Sequence, residues 1–373
     1  MNDIHLYVEL LFLFVTLIWI MDELLQKHRE KLVDSDLYHY LPNIALSDFV
    51  WTRPRGTNTK VLVKSDGDNN MRDGDEDEAI FSIIATVSKE DTYIKADGNY
   101  AGPTEYVKDL ADVKLAFALT PVTNHQQLSQ DFANAVSLIK KLRADTGLLG
   151  RKEGIVIKSG NVDKIRLQYC VFRKRTAEDD INAGKDNDAN PVSEYNYRGY
   201  PVDSSQARLE LKDMGKSRSN ESIFNVIPFM TEHGQCVPPS QYRELLIGST
   251  VNAIFSVSHN AIAKGNVDRF TADLVGMSIV APVAVDSPER YTNIQLSFPR
   301  LSSAAKRKAT EAFARQFSFI ESQNASTLSS SELETERENE DTDTAESSNT
   351  ANSSQTPLEE STRKKEKKKS RLN

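Results

Sequence analysis

The chain has 373 residues, 46 basic against 54 acidic, for a formal charge of -8. That balance excludes a uniformly basic nucleic-acid coat but leaves room for a basic groove, because much of the acidic charge falls in two runs. Two cysteines, Cys170 and Cys236, are too few for a disulfide framework and lack CxxC spacing for zinc, so they read as buried thiols in a reducing compartment.

Residues 1–40 are expected to form an N-terminal apolar helix. Ile4 to Met21 is almost entirely apolar and reaches the ~18 to 20 residues that cross a bilayer, yet it contains His5 and Glu9. No basic stretch precedes it and no small-x-small site follows, which argues against a cleaved signal. Lys27, Arg29 and Lys31 would hold the rest of the chain in the cytosol if the segment inserted. Three readings stay open: a membrane anchor, a helix over about 4–33 that packs on a protein partner, or a stretch outside the working protein.

A main domain over 41–300 starts where Leu41-Pro42 and Arg53-Pro54-Arg55-Gly56 break the helical pattern. Val61 to Lys64, Ile80 to Val87 and Val113 to Thr120 read as strands from their β-branched and aromatic content. Gln126 to Asp145 places Leu128, Phe132, Ala135, Val136, Ile139 and Leu142 at helical spacing. Extended runs resume at Ile155 to Lys158, Ile165 to Arg173, Ile223 to Phe229, Thr250 to Val257 and Phe270 to Val280. Polar, turn-rich stretches near 65–79 and 176–194 read as long loops, 301–320 as a short helix, and 321–373 as a disordered tail, acidic and then basic. About eight strands with one internal helix predict a mostly β fold, an antiparallel barrel with helical insertions.

The most informative stretch runs from Gly248-Ser249 through Val251, Ala253, Phe255 and Val257, alternating with Asn252, Ser256 and Ser258. It reads as a strand with one buried face, followed by a loop with Lys264-Gly265-Asn266 and a second strand on which Phe270, Ala272, Leu274 and Gly276 alternate. Over residues 223–282 this hairpin resembles the last hairpin of phage-type single-stranded DNA-binding OB-fold proteins, and it is similar to domains of uncharacterised fungal proteins associated with mobile elements. The resemblance implies an OB-like barrel that binds single-stranded DNA or RNA, with an acidic tail that competes for the groove.

Such binding needs backbone-neutralising cations and rings on which bases stack. Tyr169, Phe172, Arg173, Lys174 and Arg175 form one candidate cluster; Tyr195, Tyr197, Arg198 and Tyr200 form a second. His259, Lys264 and Arg269 are candidates for phosphate contacts at the hairpin loop. Each ring taken singly has the ordinary alternative of a core position.

Asp66 to Asn70 and Asp73 to Glu78 have the alternating oxygens of a calcium loop, but Met71 and Glu78 stand where the turn needs glycine. Six histidines offer no HxH, HExxH or Cys/His cluster, and neither GxxxxGK nor GxSxG occurs. No enzymatic activity, cofactor, metal or small-molecule substrate is therefore expected. The basic run Arg363 to Arg371 suits nuclear import, so the nucleus is the expected location, against membrane anchorage facing the cytosol. The alternative function is a membrane-tethered or nuclear protein-interaction module that does not bind nucleic acid.

Overall fold

The computed structural model describes residues 2–65, 78–105, 107–144, 151–174, 194, 197, 199–216, 222–225, 229–262 and 266–281. The expected 65–79 and 176–194 loops lie outside that set except at their ends, as do the 301–320 helix and the 321–373 tail.

Helix α1 (Asn2–Val33) is followed by the short strands β1 (His39–Tyr40), β2 (Phe49–Thr52) and β3 (Lys60–Lys64). Then come β4 (Ile80–Val87), β5 (Lys114–Thr120), helix α2 (Gln126–Ala144), β6 (Arg151–Glu153), β7 (Val156–Ser159) and β8 (Val162–Cys170). A separate small pair, β9 (Phe172–Lys174) with β10 (Ser222–Phe224), flanks helix α3 (Ser205–Lys216) in sequence. Strand β11 (Phe229–Met230), the short helix α4 (Tyr242–Leu246), and the long strands β12 (Thr250–Ile262) and β13 (Val267–Ala281) complete the described part.

Five of these strands pair in a closed cycle. β4 pairs antiparallel with β5, β5 antiparallel with β8, β8 parallel with β13, β13 antiparallel with β12, and β12 antiparallel with β4. The inside of this ring is the core: Phe81, Ile83 and Ala85 from β4; Leu115, Phe117 and Leu119 from β5; Ile165, Leu167 and Tyr169 from β8; Val251, Ala253, Phe255 and Val257 from β12. Period-two alternation puts these residues on one face of each strand. Helix α2 closes over the core with Phe132, Ala135, Val136, Ile139 and Leu142, an apolar stripe at helical spacing.

Two details of the hairpin differ from the sequence-based expectation. First, β12 is buried on both faces from Thr250 to His259, so Asn252, Ser256 and Ser258 are covered too. Its alternation therefore encodes two kinds of buried surface: apolar toward the ring interior, and small or polar outside except at Ile254. Second, the inward phase of β13 runs Phe270, Ala272, Leu274 and then Met277, Ile279, not through Gly276. The change of parity falls at the register shift between Ile254 and Phe255, where a β-bulge inserts Val275. The hairpin is also longer at its tip than expected, because pairing continues to Ile262 and Val267.

The run expected as one strand from Ile165 to Arg173 breaks between Cys170 and Phe172, and the Ile223 to Phe229 run becomes two short strands in different sheets. Gly154 sits at φ 123° with its Cα against the Phe270 carbonyl, where a Cβ would collide with backbone. Only glycine lets β6 lie this close alongside β13.

The base of α1 belongs to the domain. Leu25 and Leu32 pack in a second cluster with Tyr40, Ile84, Val122, Leu128, Val280 and Ala281. Polar bonds reinforce this contact: Arg29 Nε donates to Asp131 Oδ2 at 2.6 Å, Tyr40 Oη donates to the same oxygen at 2.9 Å, and Gln127 Nε2 donates to Oδ1 at 3.0 Å. The start of the domain at residue 41 is thus too late, since strand β1 and this helical base pack with it. Among the described residues no helix is long and apolar enough to cross a membrane.

Candidate nucleic-acid interface

Three rings of the clusters picked out from sequence are committed to packing. Tyr169 and Phe172 are buried core residues, as is Tyr200, whose hydroxyl donates to the Ala96 carbonyl at 2.8 Å. Burial pushes the Tyr200 phenol well above its ordinary pKa, with the Asp97 charge adding to the effect. Tyr197 is partly buried and stacks on Phe172 with centroids 6.2 Å apart, so these rings pair with each other. Tyr169 is core and not a stacking platform because alternation on β8 turns it inward with Leu167, and Phe172 and Tyr200 are buried in the same core. The Arg173 and Lys174 side chains, and Arg175, Tyr195, Arg198 and Lys264 altogether, lie outside the described residues.

At the hairpin tip Arg269 is exposed, whereas His259 is fully buried. His259 Nε2 lies 2.9 Å from Asp268 Oδ1, its ring stacks on Phe270 at 4.6 Å, and Trp51 meets both rings edge-on. An imidazole enclosed in this way cannot touch a phosphate, which corrects its assignment as a loop contact.

The outer face of the ring offers a different set. Between β4 and β5 the chain returns so that Tyr93 pairs through its backbone with Ala116 of β5, with N···O distances of 2.8 and 3.0 Å. Ile94 turns inward to the core, and the Tyr93 ring stands outside, 49% exposed. Ala116 is opposite Gln168 on β8, and Gln168 is opposite Asp273 on β13. Tyr93, Ala116, Gln168 and Asp273 therefore form one row across the face, with Tyr93 about 10 Å from Gln168 at ordinary strand spacing. Lys114, two residues from Ala116 along β5, is exposed; Arg166, opposite Ala118 and two residues from Gln168 along β8, is exposed on the other side of the row. An open ring thus stands at the end of a row whose Ala116–Gln168 part is flanked by two cations, each about 7 Å off it.

A buried lysine supports this arrangement. Lys164, on β8, is almost completely covered and its ammonium reaches Asp91 at 2.9 Å and Glu90 at 3.2 Å. Ser159 Oγ donates to Glu90, and the Ala118 amide donates to Thr92 Oγ1. These bonds fix the segment that carries Tyr93 to β5 and β8, and hold Asp91 in a left-handed conformation at φ 60°. The hydrogen bond from Lys164 keeps both carboxyls below their ordinary pKa. Burial alone would lower the Lys164 ammonium, but bonds to Asp91 and Glu90 and the charges of both outweigh it and raise it.

A depressed carboxyl stabilises the fold above its unfolded pKa and ceases to do so as pH falls through the folded value; a raised ammonium stabilises below its unfolded pKa and is lost at higher pH. Binding that depends on this segment is therefore expected to be flat between about pH 5 and pH 9, and to weaken below about pH 4. Oligonucleotide affinity titrated against pH measures it. A midpoint near neutrality would assign control of the segment to another group.

Tyr93 was missed by sequence reasoning because Thr92-Tyr93-Ile94 is too short to stand out as a strand. Its neighbour on the face, Ala116, is a partner far along the chain. The available signal was an aromatic next to an apolar residue just after a charged turn, which alternation assigns to opposite faces. Among the described residues no group of three or more His, Cys, Asp or Glu side chains could hold a metal ion.

No family model matches the chain, and no curated protein does. Among solved structures, it is similar to a single-stranded DNA-binding protein, gp2.5, encoded by bacteriophage T7. The match covers 57% of this chain and 98% of that one, at 10% identity and a TM-score of 0.29.

Proposed function

We propose that the chain binds single-stranded nucleic acid, with DNA the first ligand to test, across the outer face of β5, β8 and β13 of an OB-like barrel. The observation that carries this reading is the half-exposed Tyr93 ring at the end of a row of paired strands that Lys114 and Arg166 flank, both exposed. The order of the five-strand ring supports the fold assignment. Numbered by position in the ring, the strands pair 1-2-3-5-4-1, with 3 and 5 parallel. In an OB fold the face of strands 2 and 3, with the loops joining 1 to 2 and 4 to 5, is where oligonucleotides lie. Here those parts are β5 and β8, the segment with Tyr93, and the hairpin tip with Arg269.

Stacking supplies sequence-tolerant affinity and the cations neutralise phosphates. With Lys114, Arg166 and Arg269 as contacts, log K is expected to fall with log salt at a slope of about -2, at roughly -0.7 for each phosphate neutralised on a single strand. Fluorescence anisotropy of the full chain with labelled single-stranded and duplex oligonucleotides, titrated against salt, measures it. Preference for single strands with a slope near that value, reduced by about 1.4 in a Lys114→Ala/Arg166→Ala double variant, is the expected result. Equal binding of duplex, or a slope unchanged by the double variant, would remove this face from the proposal.

A second reading is favoured by α1, where Phe12 is 72%, Trp19 65% and Ile20 50% exposed beyond the helical base that packs on the domain. On this reading α1 is an interaction surface for a protein or membrane partner. Removing residues 2–20 would then abolish association with that partner and leave oligonucleotide binding intact. Loss of both activities together would count against two separate surfaces.

A further inference from the structure

From the Gln168–Asp273 pair toward the hairpin tip, β8 and β13 part, and a stretch of chain fills the gap. β8 is paired there with β7 and β13 with β6; Gly154 and Ile155 join the two, and the Arg166 amide donates to the Ile155 carbonyl at 2.6 Å. Register sets Arg151 beside Val267 and Glu153 beside Arg269. On β13 Asp268, Phe270 and Ala272 are buried while Val267, Arg269 and Thr271 are not. Alternation therefore places Arg151, Glu153 and Arg269 on the outer face, the one that carries Tyr93 and Arg166.

β6 is also held from the side of α2. The Arg143 guanidinium donates to the Lys152 carbonyl, Lys152 Nζ donates to the Ala144 carbonyl at 3.1 Å, and the Arg151 amide donates to the Asn266 carbonyl at 2.9 Å. The strand is thus a fixed extension of the face, while its charged side chains stand in water. Arg151 is 77% and Glu153 37% exposed, and the two form an ion pair. A pair this exposed is weak, and a phosphate can take the guanidinium from the carboxylate. Asp268 does not compete, because it is turned inward onto His259. The outer surface of the tip then carries two guanidinium groups and one carboxylate, a single net positive charge.

Resting on the function proposed above, we propose that Arg151, Glu153 and Arg269 form a second phosphate subsite at the hairpin tip, which a single strand reaches from the Tyr93 row by passing Arg166. Arg151 lies one strand across and two residues along from Arg269, about 8 Å away, and Arg269 is about 20 Å from Tyr93. A strand that covers this distance has about six nucleotides, within the ~4 to 16 that one OB fold takes. β6 lies outside the five-strand ring, so the subsite is an addition to the face of the barrel. Glu153 sets its strength. With the carboxylate present the tip neutralises one phosphate, which together with Lys114 and Arg166 gives the slope of about -2; without it the tip neutralises two.

The test measures the salt dependence of affinity for thymidine oligomers of about twelve and about four residues, the short one by competition, with the full chain and its Glu153→Gln and Arg151→Ala variants. On the long oligomer Glu153→Gln is expected to steepen the slope by about 0.7, so that its advantage over the unaltered chain falls roughly two- to threefold as salt rises fourfold. Arg151→Ala should flatten the slope by about the same 0.7. On the short oligomer, which the Tyr93 row holds, both variants should match the unaltered chain. Damage to the fold would weaken both lengths and could not give changes of opposite sign, and the length dependence of either variant decides the matter if the other fails to fold. Slopes unchanged on the long oligomer, or shifted equally at both lengths, would overturn this inference alone and confine the strand to the Tyr93 row. Failure of the unaltered chain to bind the long oligomer would overturn the proposed function and this inference with it.

Discussion

Replacing Arg29 by methionine is expected to destabilise the fold by about 3–4 kcal/mol at pH 7, measured by urea unfolding. Methionine keeps the aliphatic packing along α1 but removes the guanidinium that lies 2.6 Å from Asp131. Asp131 is only 2% exposed, while Arg29 retains 18%. The two partners are therefore not equivalent: losing the cation strands a charge that water cannot reach. Tyr40 and Gln127 still donate to the carboxylate, and this lowers the penalty.

Adding Asp131→Leu should recover much of the loss at pH 7, because a buried pair replaced as a whole costs far less than a pair cut in half. No recovery in the double variant would mean that the Asp131 charge is hydrated once Arg29 is gone. The same contact raises the Arg29 guanidinium pKa, mainly through its hydrogen bond to Asp131, and burial followed by the Asp131 charge raises the Tyr40 phenol.

Much of this fold is legible in sequence where the signal is local. Ile80 to Val87 is a strand with the predicted bounds, and the stripe of Phe132, Ala135, Val136, Ile139 and Leu142 on α2 packs where its spacing says it should. Helix α3 escaped because its apolar positions, Ala207, Leu211 and Met214, are few and separated by charge. The hairpin was found, but its bulge was not, since a parity change at Val275 is invisible when Leu274, Val275 and Met277 are all apolar. Pairing between distant segments was not legible at all. The parallel contact of β8 with β13 closes the ring, yet it is set by how the two strands share one core, not by any short pattern.

The candidate site shows the same division more sharply. Aromatic residues near basic ones were the sequence criterion, and it selected Tyr169, Phe172 and Tyr200, whose rings are inside. Composition cannot tell the two faces of a strand apart when both neighbours of a ring are apolar or charged in turn. Tyr93 is selected by pairing instead: its partner Ala116 fixes which way it faces, and Lys164 fixes the turn that delivers it. Arg166 stands alone in sequence, and only the register with β5 brings it to the row that Tyr93 ends.

Tyr93→Ala is accordingly expected to weaken binding of single-stranded oligonucleotides by roughly ten- to a hundredfold, corresponding to ~1–3 kcal/mol for a base stacked on an aromatic side chain. Stability should change little, because the ring is half exposed and its backbone bonds to Ala116 survive the substitution. Tyr93→Phe should bind almost as well as the unaltered chain, since stacking uses the ring face and not the hydroxyl. The salt slope should stay near its original value in both variants, because no phosphate contact is removed. This separates the ring from Lys114 and Arg166, whose loss lowers the slope, and from a general distortion, which would lower Tm as well. Anisotropy at two salt concentrations with a melting curve for each variant measures all three quantities. If Tyr93→Ala bound as tightly as the unaltered chain while Phe172→Leu abolished binding without unfolding it, the interface would have to be moved to β9 and β10, on the small sheet beside the ring.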